Sequence, residues 1–99
     1  MPSVKLNIRR FVVDVDKALE TPTLIEIAQA IHGCKGVQSS NITVTEVDQE
    51  TMGTNITIEG EEMDYDEIVR AIEYSGAVVH SLDQVVSGEK ILEYVPRAR

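Results

Sequence analysis

Val4, Leu6 and Ile8 alternate with polar residues, after which the apolar positions change phase and fall on Phe11, Val13 and Val15. Period two reads as a strand. The slip of phase predicts a β-bulge near Arg9-Arg10, or a far end covered on its other face. Leu24, Ile27, Ala28 and Ile31 then recur at helical spacing behind Thr21-Pro22, an N-cap residue type followed by proline at the first helical position. Gly33 closes that run in the usual position after a helix. Ile42, Val44 and Glu46 alternate with Asn41, Thr43 and Thr45, and Ile56 and Ile58 alternate with Asn55 and Thr57. These are two half-buried strands, joined at the polar turn Asp48-Gln-Glu-Thr51 into a hairpin. A second helix is predicted from about Tyr65 to Ser75, with Ile68, Ala71 and Ile72 inward and Gly76 after its end. Ala77 to Leu82 opens a last strand that continues through Val85-Val86 to Gly88. Beyond it, Ile91, Leu92, Tyr94 and Val95 are too apolar for a loose tail. They extend the last strand, return as a short fifth strand, or pack on a neighbouring subunit.

The resulting order is β-α-β-β-α-β. Its standard packing is a four-stranded antiparallel sheet in spatial order 4-1-3-2 with both helices on one face, an α+β, ferredoxin-like fold. The 99 residues form one domain, long enough to bury a single core without disulfides or metals. Cys34 is the only cysteine, which excludes an internal disulfide and fits a reducing compartment. No apolar run reaches the roughly 18 residues needed to span a bilayer, and the N-terminus lacks the apolar core of a secretory signal, so a cytoplasmic location is expected. For the same reason the two Asn-Ile-Thr sequences, at Asn41 and Asn55, carry no weight as glycosylation sites.

With this order in place, three segments resemble an archaeal family known as domain of unknown function 211: NITVTEVDQET at the hairpin, EGEEMDYDEI at the start of helix two, and GAVVHSLDQVVSG in the last strand. The resemblance covers nearly the whole chain. It implies a ferredoxin-like fold, an archaeal cytoplasmic setting and assembly into a higher oligomer such as a ring. It supplies no catalytic residues to carry over.

Charge narrows the range of partners. The net charge is −8, and from Gly36 to Val69 there are nine acidic residues and no Lys or Arg. Such a chain lacks the basic footprint of nucleic-acid binding and the basic face that holds a protein to anionic membranes. Its expected partners are cations, basic protein surfaces or copies of itself. With one cysteine there is no Cys-x-x-Cys for a soft metal. The few aromatics, with Tyr65 and Tyr74 on a helix, do not make an RNA-stacking sheet. Asp14-Val-Asp16-Lys-Ala-Leu-Glu20, acidic and free of glycine, would repel the anionic substrate of an acylphosphatase-like loop.

The topology divides the acids between two ends of the sheet. Asp14, Asp16, Asp48 and Glu50 belong to the end where the first strand finishes and the hairpin turns, with Lys17 the one obvious cation nearby. Hard cations such as Ca²⁺ or Mg²⁺ take several oxygen ligands, and these four carboxylates are the candidate metal ligands. Asp48, Glu50, Gly53 and Glu59 mimic the spacing of an EF-hand loop, but Met52 holds a ligand position and the segment reads as turn plus strand. The EF-hand is rejected.

The other end carries Glu59-Gly-Glu-Glu-Met-Asp-Tyr-Asp-Glu67. Here Asp64 as N-cap and Glu67 three residues on predict a capping box, with Met63 and Ile68 as the hydrophobic staple. Asp66 suits the positive end of the helix dipole. Glu59, Glu61 and Glu62 have no local purpose, and Lys5, Lys35 and Lys90 are expected to approach them. His80 can meet Asp14 across strands one and four. His32 suits the C-terminus of its helix, and nothing around Cys34 predicts a depressed pKa.

Two functions remain. The first is a non-enzymatic, homo-oligomeric binding or regulatory module that takes a divalent cation, or a small ligand between subunits. The second is a metal-assisted enzyme with Mg²⁺ or Mn²⁺ on the acidic cluster at a subunit boundary and His80 as acid or base.

Overall fold

The structure, a computed structural model, describes residues 4–96. Its elements run β1 (Ile8–Ala18), α1 (Leu24–His32), β2 (Val37–Val47), β3 (Thr51–Gly60), α2 (Tyr65–Tyr74) and β4 (Val78–Ser87). The four strands form one sheet in the order β2-β3-β1-β4, with every pairing antiparallel. This is the ferredoxin-like arrangement expected from the pattern. The core lies on the helix-covered face, where Phe11, Val13 and Val15 of β1 and Ile56 and Ile58 of β3 meet Ile27 and Ile31 of α1 and Ile68 and Ile72 of α2. Phe11 also sits 5.2 Å, centroid to centroid, from the Tyr65 ring. The alternate residues form a face that no helix covers. Across it run the register rows Asn41–Thr57–Val12–Gln84 and Thr43–Asn55–Asp14–Ser81.

The bulge expected near Arg9-Arg10 is present. Ile8 pairs with Ser87 and Arg10 with Val86, which leaves Arg9 without a partner on β4. One extra residue changes the phase of everything after it, and so Ile8 and Phe11 both reach the core side.

Three local expectations are corrected. The N-cap of α1 is Thr23, not Thr21. Thr23 has Glu26 three residues on, and the two side chains bond each other's backbone N–H reciprocally, at 3.1 and 2.8 Å; Thr21 has no such partner. Gly33 keeps a right-handed φ of −77°, and the left-handed glycine of that turn is Gly36 at +85°. Among the described residues no fifth strand forms. Residues 91–96 are exposed and belong to no sheet, while residues 97–99 of that segment lie outside the described residues. β4 does leave a free edge, but the segment is held through the Glu93 side chain to Arg10 of β1 and not by backbone pairing. Gly76, at φ +110°, does end α2 as expected.

Candidate functional site

The acidic end of the sheet is organised around a glycine. Gly53 stands opposite Asp16 of β1 on one side and opposite Glu46 of β2 on the other. A strand glycine leaves an empty place on the sheet surface. Asp16 Oδ1, Glu46 Oε1 and Thr45 Oγ1 all lie within 3.7 Å of the point that a Cβ on Gly53 would occupy. Thr45 is available there because it is the unmatched residue of a bulge between Val44 and Glu46. The result is two carboxylates and a hydroxyl leaning over one bare stretch of backbone.

The set expected from sequence is only partly assembled. Asp14 sits one row further in, opposite Asn55 and Ser81. Asp48 and Glu50 stay in the hairpin turn, where Asp48 Oδ1 accepts the Gln49 N–H at 2.7 Å and the Asp48 N–H bonds Thr51 O at 2.8 Å. Among the described residues, no three His, Cys, Asp or Glu side chains are gathered closely enough to hold a metal ion. Lys17 does not neutralise this end. It points to the core side of β1, 5% exposed, and its ammonium donates to Ala18 O (2.7 Å) and Leu19 O (3.1 Å). Its position one residue after Asp16 on a strand sends it to the opposite face. Glu46 and Thr45 were not among the sequence candidates, although a signal existed in Gly53 itself, isolated within a strand pattern.

At the opposite end the three unexplained glutamates find partners. Arg10 stands opposite Glu59 and binds it at 2.7 Å, Arg9 reaches Glu61 at 3.7 Å, and Lys5 meets Glu62 at 3.5 Å. The bulge brings both consecutive arginines to glutamates spaced two apart. Lys5 was expected here; the arginines were not, and Lys90 forms none of the ion pairs among the described residues. Asp64 caps α2 by accepting from the Asp66 and Glu67 N–H groups at 3.0 and 3.3 Å. The reciprocal half of the box is absent, since Glu67 Oε2 instead accepts the Lys35 N–H at 3.3 Å and ties the α1–β2 turn to α2. A groove of about 460 Å³ opens beside this junction, between Lys5, Leu6, Lys35, Glu62 and Tyr65.

Arg10 also holds the C-terminal segment. Its guanidinium binds both oxygens of Glu93, at 2.9 and 3.1 Å, and touches Gln84 Oε1 at 3.4 Å. The paired carboxylates hold Arg10 well above its ordinary pKa, Glu93 contributing most and Glu59 next. Hydrogen bonding to Arg10 lowers the Glu93 pKa in return. Leu92, Tyr94 and Val95 are thus fixed near the uncovered sheet face while remaining 79%, 77% and 76% exposed.

The histidines and the cysteine are less engaged. His80 is exposed and is the unmatched residue of a bulge in β4; Ser81, not His80, stands opposite Asp14, and the Ser81 hydroxyl donates to Asp83. The expected Asp14–His80 pairing is therefore replaced by Asp14–Ser81. His32 Nε2 lies 3.0 Å from Ser40 Oγ. Cys34 is buried, and desolvation, with the Glu67 charge second, pushes its thiol pKa up. It is held as a protonated core residue that donates weakly to Ala30 and Glu67 carbonyls.

Comparison with known proteins fits this fold and these segments. The model of the DUF211 family, described as uncharacterised ArCR, matches residues 9–99. The chain belongs to this family. A DUF211 relative, the uncharacterised protein MJ0319 of Methanocaldococcus jannaschii, is 43% identical over 89 residues, which is 90% of this chain and 91% of the relative. The matched region of this DUF211 chain includes both acidic ends, the Arg9 bulge and the C-terminal segment. Among the described residues, no helix is long and apolar enough to cross a membrane.

Proposed function

We propose that this DUF211 protein is a non-enzymatic, homo-oligomeric binding module. The observation that supports it is the C-terminal segment, whose apolar residues are exposed yet held in place by the Arg10–Glu93 bond. An apolar surface that is both exposed and held is suited to a partner, and in a symmetric assembly that partner is another copy. The acidic character of the chain disfavours nucleic acid and anionic membrane as partners.

The ligand half of the proposal rests on Asp16 and Glu46. Neither has an ion-pair partner among the described residues, Lys17 is turned away, and a hard cation supplies the missing charge. Small-molecule ligands are served by the groove beside Lys5 and Lys35, or by a boundary between subunits.

A thermal melt series with Ca²⁺, Mg²⁺, Mn²⁺ and EDTA tests the cation. A ligand that binds only the native state stabilises it, by about 1.4 kcal/mol at ten times its Kd. For a domain of this size that is a rise of about 5 °C or more. The rise is expected at millimolar Ca²⁺ or Mg²⁺ and is expected to vanish in Asp16→Asn/Glu46→Gln. An unchanged melting temperature at 10 mM of each metal would remove the cation from the proposal. Assembly is tested separately, by the solution mass.

A further inference from the structure

We infer that the free edge of β2 pairs, antiparallel, with the β2 edge of a second copy and joins two sheets into one eight-stranded sheet. The inference rests on the oligomeric reading above and names its surface.

The sheet has two edges, β2 and β4, and the chain treats them differently. On β4, His80 and Asp83 are each the unmatched residue of a bulge, and Asp83 adds a charge. Bulges and charged side chains are the usual means of blocking strand addition. On β2, Ser39 to Val44 form six consecutive residues in unbroken register with Glu59 to Thr54 of β3. Their outward backbone groups have no strand beside them. From Gly36 to Thr45 there is no Lys, Arg, Asp, Glu or Pro, in a chain where 26% of residues are charged. The edge therefore lacks the ordinary guards against another strand, and two highly acidic copies can approach there without like charges in contact.

The charges that flank this run select the partner and its direction. Lys35 precedes it, and Glu46 and Asp48 follow it. Antiparallel pairing about a twofold axis near Asn41 and Ile42 sets Lys35 of each copy beside the Glu46–Asp48 end of the other. Parallel pairing would instead match Lys35 with Lys35 and Glu46 with Glu46. A self-complementary patch of this kind is the signature of a twofold interface, and backbone hydrogen bonds of the new ladder supply its affinity.

The test combines solution mass with residue-resolved amide exchange on the wild-type protein. Expected are a mass above that of one chain and slow exchange at every amide from Ser39 to Val44. Asn41→Lys/Thr43→Lys places like charges opposite each other near the axis; both residues are exposed and on the uncovered face. It is expected to weaken association at least tenfold with an unchanged far-ultraviolet spectrum. Lys35→Glu is expected to weaken association as well, and Lys35→Glu/Glu46→Lys/Asp48→Lys to restore it. An assembled protein whose β2 amides exchange rapidly at alternate residues overturns the edge pairing and leaves the oligomeric reading standing. A charge-reversed variant that stays as weak as Lys35→Glu overturns it too. A wild-type monomer removes both.

Discussion

Gly60→Ala is expected to lower stability by about 3 kcal/mol or more, the range of severe overpacking with no flexible neighbour to yield. A Cβ on Gly60 would run into the carbonyl of Gly36, and a Cβ on Gly36 would run into the carbonyl of Glu61. The obstacles are backbone atoms, so no rotamer change relieves them. Gly36 additionally needs its left-handed φ of +85°, which a β-carbon disfavours. The two glycines let the start of β2 lie against the end of β3, where the Glu61 N–H bonds Gly36 O at 3.0 Å. That closure sets the positions of Glu61 and Glu62, and hence their ion pairs with Arg9 and Lys5. Urea unfolding of Gly60→Ala and Gly36→Ala measures the cost. A loss below about 1 kcal/mol in both would show that the crossing can open without penalty.

Arg10→Met is expected to free the C-terminal segment and to cost about 1–2 kcal/mol through its half-buried bond to Glu59. Methionine keeps much of the packing against the sheet, so the loss reports the guanidinium rather than its stem. The release itself is best seen in backbone relaxation of residues 91–96, rigid in the wild type and flexible in the variant. Acid should do the same by another route. Because the folded-state pKa of Glu93 is lowered, the stabilisation its charge provides is complete above the ordinary carboxyl range of about 4.3. It is lost as pH falls through the lower, folded-state value. The segment is therefore expected to stay docked from pH 7 down through the ordinary carboxyl range and to loosen only in more acidic solution. Relaxation values at residues 91–96 that are identical in wild type and variant would show that Arg10 does not hold the segment.

These two expectations rest on contacts that the sequence does not spell out, whereas most of the fold was legible. Alternation at Val13, Val15, Ile56 and Ile58 identified the strands, because one face of a sheet must be apolar. Asp64 marked the start of α2 through its own capping chemistry, and the phase slip after Ile8 located the bulge. Each of these signals is local. The misses involve partners far apart in the chain. Glu59 and Glu61 lacked a purpose until the pairing of β1 with β3 set Arg10 opposite Glu59. A hairpin tip invites the choice of Asp48 and Glu50 for the acidic end. The structure instead gathers Glu46, Thr45 and Asp16 around Gly53, which requires the register of β3 with both neighbours at once. Lys17 is adjacent to Asp16 in sequence, and on a strand that adjacency places the two on opposite faces. The C-terminal segment kept its apolar character but not a strand, and the sequence carries no pattern that names the surface it meets.

The central claim, that this chain works as an assembly of copies, is tested most directly by size-exclusion chromatography with light scattering at micromolar concentration. The chain mass is 11.0 kDa. The expected result is a single species at a whole-number multiple of that mass, stable on dilution across the micromolar range. A clean 11.0 kDa monomer throughout that range would contradict it.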